Sequence, residues 1–440
     1  MPSPRSRPPR VLPAALLVVL TAGRAPAQEP APPEPPPLAI VGATVLPMDD
    51  ARVLERHTVV MRGGRIVAVA PDAEARVPAD ARRVDGRGRW LVPGLVDMHV
   101  HLDGAGRERD LPLYLAHGVT TVRNLRGTPE HVALRARIAR GELLGPTLLT
   151  SGPFVDRLPE ATPAEQVVRD HRAAGYDVLK VHDREYAPER YRALARAARA
   201  AGMPLVGHVP VAVGVEAAVR EGQRTLEHAE DLMQTFFAMQ LDTARLPALV
   251  AAVRGGRACV VPTLVVFGTV ARHLAEYPDL RGLMARPALR HVRPALRDAW
   301  APERNPYVLR AHGRAAEAPA IAARLAAQNA FLHRIAGALH AGGVPVAAGS
   351  DAGVPHTIPG HALVEEVAQL RAAGLSPHDA LRDAARAAAE RLPRADEFAA
   401  IVPGLRADAV LLDLDPRADP GALADTARSR IVAMSFCEPR

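Results

Sequence analysis

Of the 55 Lys and Arg residues in this 440-residue chain, only one is a lysine: Lys180, in Tyr176-Asp-Val-Leu-Lys-Val-His182. Arginine stays charged at every working pH, whereas a buried lysine can shed its proton and react as a free amine. Such an amine can form a Schiff base, act as a base, or add carbon dioxide to become a carbamate with two carboxylate-like oxygens. Chance survival on a helix surface is the plain alternative. Against it, Asp177-Val-Leu-Lys-Val181 is a short apolar run after a turn, suited to a buried strand.

Further residues of chemical interest share one pattern. In Pro93-Gly-Leu-Val-Asp-Met-His-Val-His-Leu102, His99 and His101 stand two apart after an apolar run, so a strand would present both on one face, where they could share a metal. Pro204-Leu-Val-Gly-His208, Thr225-Leu-Glu-His228 and Val344-Pro-Val-Ala-Ala-Gly-Ser-Asp351 each end an apolar segment in a candidate ligand. A lone histidine among 17 would mean little; recurrence at the carboxyl ends of apolar segments singles these out. Glu227, on the opposite strand face from His228, is read as structural.

Holding six such groups around one point requires repeated supports. Strands are predicted near Leu95–Val100, Val119–Asn124, Thr147–Ser151, Val178–Val181, Leu205–Gly207, Thr225–Glu227, Val260–Thr263 and Val344–Gly349. Helical stretches such as 188–202, closed by a glycine, lie between them. This alternation predicts an α/β fold, a (β/α)8 TIM barrel with its chemistry at the carboxyl ends of the strands. The segment 264–343 is too long for one crossover and reads as a helical insertion beside the mouth.

Here the chain resembles the amidohydrolase superfamily of metal-dependent hydrolases, in particular its imidazolonepropionase-like and prolidase-like branch. The matching motifs are Val-Pro-Gly-Leu-Val-Asp-Met-His-Val-His (92–101), Gly-Val-Thr-Thr-Val-Arg-Asn (118–124), Leu-Lys-Val (179–181), Gly-His-Val-Pro (207–210), Leu-Glu-His (226–228), Val-Pro-Thr-Leu (261–264) and Ala-Gly-Ser-Asp-Ala-Gly (348–353). The resemblance implies two divalent metals, zinc by expectation. His99 and His101 with Asp351 would hold the more buried ion, His208 and His228 the more exposed one, and N6-carboxylated Lys180 would bridge them. Asp351 would shuttle the proton during hydrolysis of an amide or peptide bond. Two departures stand out: His182 replaces the tyrosine of the usual Lys-Val-Tyr, and Gly404-Leu-Arg-Ala-Asp408 replaces the usual Gly-Lys-Xaa-Ala-Asp.

The chain ends read as a second unit. Residues 38–93 and 402–436 alternate with glycine turns and are expected to form a composite β-sandwich flanking the 94–401 barrel. Residues 1–27 carry a basic start, an apolar run and Ala25-Pro-Ala27, the pattern of a cleaved secretory signal, so a periplasmic or secreted protein with no stable membrane span after cleavage is expected. A disordered proline-rich lead-in follows at 28–37. Without residues 1–27, 51 cations face 48 acids and the net charge drops from +7 to +3, while aromatics at 3% offer no stacking platform, so a nucleic-acid partner is not expected. The expected partner is a small-molecule or dipeptide substrate, with room for a homo-oligomer. Xaa-Pro dipeptides or N-acyl amino acids are candidates, their carboxylate met by His182 or Arg123 unless Arg123 pairs with a neighbouring acid. Lactones, carbamates or phosphotriesters at the same metals are the alternative, and a non-catalytic secreted binding protein a third. Cys259 is expected buried and inert, a disulfide to Cys437 being allowed but unsupported by spacing.

Overall fold

The computed structural model describes residues 35–433 apart from 160, 394–395, 419–422 and 424–428. The expected leader at 1–27, the lead-in as far as residue 34, and Cys437 lie outside the described residues. Five strands come first: β1 (Leu38–Val45), β2 (Leu54–Arg62), β3 (Arg65–Pro71), β4 (Arg82–Asp85) and β5 (Trp90–Pro93). Short strands interspersed with helices follow: β6 (Leu95–Val100), β7 (Val119–Asn124), β8 (Thr147–Thr150), β9 (Leu179–Val181), β10 (Leu205–Gly207), β11 (Thr225–Glu227) and β12 (Cys259–Val261). The last two are β13 (Ala409–Leu412) and β14 (Ser429–Ala433).

Strands from both ends of the chain join one seven-stranded sheet, ordered β14-β13-β5-β1-β2-β3 with β4 also on β1. Where a composite β-sandwich was expected, the strands form one hydrogen-bonded sheet that bends at β1. Gly42 sits at φ 76°, with register shifts nearby. Residues Leu38–Val41 pair in parallel with β4, while Thr44 and Val45 pair in parallel with β5. Such irregularities bend a strand and increase its twist, so one sheet can curl around Ile40, Val45, Val59, Ile66, Leu91 and Leu411. The β2–β3 hairpin turns on Gly63 and Gly64, both at positive φ, as a two-residue loop demands.

The middle strands are parallel. They form a three-stranded sheet, β6-β7-β8, and a four-stranded sheet, β12-β11-β10-β9. An isolated parallel bridge between Ser151 and Val178 connects β8 to β9, another joins Val260 of β12 to Val346, and a third joins Val100 of β6 to Ala352. The expected eighth strand, 344–349, makes one bridge rather than a ladder, as Pro345 can accept from Val260 N (3.0 Å) but has no N–H to donate. β6 and β7 are buried along their whole length, as parallel strands covered on both faces must be. Between β12 and residue 344 the chain runs through five α-helices, from Leu264–Ala275 to Ala318–Ala341. Cys259 is buried, and burial pushes its thiol up to about 12, where it is unreactive.

Candidate metal centre

The strand ends bring the predicted residues together. His99 lies in β6, 1% exposed, its Nδ1 2.9 Å from Glu227 Oε2 and its Nε2 3.5 Å from Asp351 Oδ1. His101 follows β6 and brings its Nε2 within 2.9 Å of the same Asp351 oxygen. His208 follows Gly207, which holds φ 122° against the neighbouring strand: a Cβ there would lie 2.1 Å from the Val181 carbonyl oxygen. Glycine is the residue that fits. His228, Thr263 and Asp351 all have positive φ (67°, 46° and 53°), conformations uncommon outside glycine and frequent at functional sites.

Four imidazoles form a continuous row. Ring centroids are 5.2 Å apart for His101–His99, 4.7 Å for His99–His228 and 4.8 Å for His228–His208. One donor atom from each of His99, His228 and Asp351 lies within 4.8 Å of the others, so these three could share an ion. Lys180, in β9, is 1% exposed. Its Nζ, His99 Nε2 and His101 Nδ1 are buried with no hydrogen-bond partner among the described residues. Unsatisfied polar atoms are costly to bury, and these three together with the Asp351 carboxylate fit a cationic guest that they would ligate.

The other nitrogen of three of these rings is held by residues to which sequence reasoning gave no role. Glu227 accepts from His99, Asp231 Oδ2 lies 2.6 Å from His208 Nδ1, and Thr263 Oγ1 lies 2.7 Å from His228 Nδ1. Such contacts select the tautomer and aim the free nitrogen at a metal. Asp231 is itself paired with Arg184, 2.7 Å away. Asp97 accepts from His99 N, Ser350 N and Ser350 Oγ at 3.2, 2.9 and 2.5 Å, tying β6 to the segment that carries Asp351. The signal available was Glu227 beside one candidate ligand histidine and Asp97 two before another, but nothing in the chain order tells which ring each acid meets.

Arg123 was expected to be a substrate contact or one half of an ion pair. The structure places it in the pair: 1% exposed, it donates from Nε to Met98 O (2.7 Å), from Nη1 to Thr225 Oγ1 (3.2 Å) and from Nη2 to Glu227 Oε1 (2.7 Å). His182 stays beside the row. Half-buried, it stacks on Phe154 (centroids 4.3 Å, planes 11° apart) and stands edge-on to His208 at 5.3 Å. From the helical segment, Tyr307 also enters the neighbourhood: burial first, then the Asp351 charge, pushes its phenol up to about 12, so it remains a proton donor.

Burial dominates the electrostatics. It pushes His99 down to about 4, with the Lys180 charge adding to the effect, and takes His228 well below its ordinary range. Neutral imidazole is the form that binds metal. Burial also lowers the Lys180 amine, favouring the uncharged nucleophile. For Glu227 burial acts upward, but Arg123 and then His99 outweigh it and hold the carboxyl well below its usual range. Asp351 is likewise kept ionised, by His99 and His101 against burial.

Comparison with known proteins adds context. The amidohydrolase family model matches residues 90–438. An imidazolonepropionase from Symbiobacterium thermophilum is 44% identical over 63 residues, 13% of this chain and 15% of that protein. The chain spans only 12% to 15% of the length of the curated relatives it matches first. Among solved structures, a bottromycin amidohydrolase is 27% identical with a TM-score of 0.67, covering 89% of this chain and 84% of that one. A Xaa-Pro dipeptidase with bound methionine in its active site shares the fold at 18% identity and a TM-score of 0.67, covering 91% and 99%.

Proposed function

The chain belongs to the amidohydrolase family, in its imidazolonepropionase-like and prolidase-like branch, and from that premise we propose that it is a binuclear metal hydrolase cleaving a C–N bond of a small acyl-amino acid or dipeptide. The observation that carries this reading is the group of buried atoms on His99, His101 and Lys180 that lack a partner among the described residues, together with the Asp351 carboxylate and the imidazoles of His208 and His228. Two divalent ions, zinc by this reading, would supply Lewis acidity and a water ionised near neutral pH. The bridges beside Ser151, Val260 and Val100 support reading the parallel segments as one closed (β/α)8 barrel.

This chain's own residues then divide the work. Burial lowers the Lys180 amine toward its uncharged form, which could add carbon dioxide and lose a proton to become a carbamate, and in that form Lys180 would help hold both ions. Asp351 accepts the proton of the attacking water and passes it to the departing nitrogen, so the C–N bond breaks without a covalent enzyme intermediate. Glu227, Asp231 and Thr263 hold three of the imidazoles in register. His182, next to His208 and only half-buried, is the residue to meet the substrate carboxylate. Arg123 acts structurally through Glu227. The pattern of residues 1–27 supports export to the periplasm or beyond.

The test is a substrate panel with the zinc-loaded protein: Xaa-Pro and other dipeptides, N-acyl amino acids, the same compounds with amidated carboxyl ends, a lactone and a phosphotriester. Hydrolysis of dipeptides or acyl-amino acids that drops on amidation is the expected result. Undiminished hydrolysis of the capped compounds, or turnover of the lactone and phosphotriester alone, would refute the reading.

A further inference from the structure

A cavity lies at the ends of the strands opposite the metal centre. It measures about 710 Å³, within the ordinary range for small-molecule sites. Pro204 and Leu205 at the start of β10 line it, with Arg224, just before β11, and Arg257, two residues before β12. The metal-centre residues are in or after the carboxyl ends of these strands, so a ligand here would not share that centre.

The lining is lopsided in charge. Arg172, Arg199, Arg224, Arg257 and Arg391 contribute five guanidiniums, and among the described lining residues the sole carboxylate is Asp177. The whole chain is close to balanced, with 55 cations against 48 acids, so five to one is a local feature. The one acid is already engaged: Asp177 Oδ2 accepts from Arg135 Nη1 at 2.6 Å and from Thr150 N at 2.8 Å. Like charges in one cleft repel, and that cost is recovered when an anion sits between them.

Two of the arginines are preset. Arg172 donates to Ala201 O (2.9 Å) and Arg199 to Glu221 O (3.0 Å), carbonyls at the ends of the helices Pro188–Ala200 and Val215–Glu221. Helix carboxyl ends favour cations and fix these side chains at little further entropic cost. Arg391 buries its Nε without a partner among the described residues, which is expensive for a charged donor. Between the arginines the wall is apolar, from Ala195, Ala198, Met203 and Leu392, with the ring of Tyr176 at one side. That combination suits an organic molecule bearing several negative charges, not a bare ion.

We propose that this cavity binds a small organic di- or triphosphate, its phosphate oxygens shared among Arg224, Arg257 and Arg391 and its organic part against the alanine and methionine wall. Guanidinium pairs phosphate oxygens through two parallel N–H donors, and three of the lining arginines could do so. The inference does not depend on the hydrolase reading.

The experiment is calorimetric titration of the full metal-loaded protein with ADP and with inorganic pyrophosphate, repeated on Arg224→Ala/Arg257→Ala and on the milder Arg257→Glu at an exposed position. ADP should bind more tightly than pyrophosphate, both should weaken with rising salt, and the double variant should lose about tenfold or more in affinity, the usual scale for charge-assisted contacts. Amide hydrolysis should be unchanged in both variants. Undetectable binding of ADP would overturn the proposal, as would pyrophosphate matching or exceeding ADP. Binding unaltered in both variants would place the anion elsewhere, for instance on the metals, and would overturn it equally.

Discussion

Glu227→Gln separates the two jobs of one buried carboxylate. In the wild-type protein that group takes the Nδ1–H of His99 at 2.9 Å and the Nη2–H of Arg123 at 2.7 Å, with both partners 1% exposed. Glutamine keeps the shape and removes the charge. Arg123 is then a buried cation without a counter-ion, a loss of roughly 3–5 kcal/mol. At about 2.1 cal/mol/K per residue over some 400 residues, the unfolding entropy is near 0.8 kcal/mol/K, so the melting temperature of the metal-free protein should fall by about 5 °C. At the metal centre, the amide NH2 can face His99 Nδ1 and turn the ring to the tautomer whose Nε2 carries the proton. That nitrogen could no longer bind metal, and affinity should drop about 10–100-fold. Adding Arg123→Met should recover most of the stability, because no charge remains unpaired, and none of the affinity. Calorimetric melting of the metal-free proteins and a competition titration with a zinc chelator read the two effects separately. Wild-type zinc affinity in Glu227→Gln would refute the tautomer argument, and an unchanged melting temperature would refute the ion-pair argument.

Other outcomes follow from the same geometry. Lys180→Ala should fold but lose metal bridging and turnover, while Lys180→Glu should keep some of both, by metal analysis and assay; full activity in Lys180→Arg would exclude a carbamate, which arginine cannot form. Asp351→Asn should retain much of its metal yet lose roughly 10²–10⁴-fold in turnover at saturating substrate, and undiminished turnover would assign the proton transfer to another group. Glu366 is buried, accepts from Val265 N at 2.8 Å, and has its carboxyl pushed up by burial to about 8 from an ordinary 4.5. Between those values the folded protein keeps a proton that the unfolded chain releases, so this group's contribution to stability should decline as pH rises from about 5 to 8. Denaturant midpoints across that window should fall less steeply in Glu366→Gln, and an equal slope would show that another group is responsible.

What the sequence determined by itself was local. A polar residue at the carboxyl end of a short apolar run is a signal contained within a few positions, and it recurs at His99, His101, Lys180, His208, His228 and Asp351. Strand periodicity and burial set β6, β7, β10 and β11 at the residues expected for them. Tertiary structure alone decided who meets whom. Glu227 serves the histidine 128 residues away rather than the one beside it. Arg123 of β7 finds its acid on β11, in the other parallel sheet and 104 residues on. Thr263, read as the end of a strand, leaves β12 at φ 46° and caps His228. The terminal strands became one bent sheet because β1 changes partner at Gly42, and the expected eighth strand is irregular because a proline in it cannot donate. A side chain's face is written in the period of its own strand, but its partner depends on how distant strands are staggered around a shared interior, and that stagger is the sum of many weak packing choices with no short-range signature.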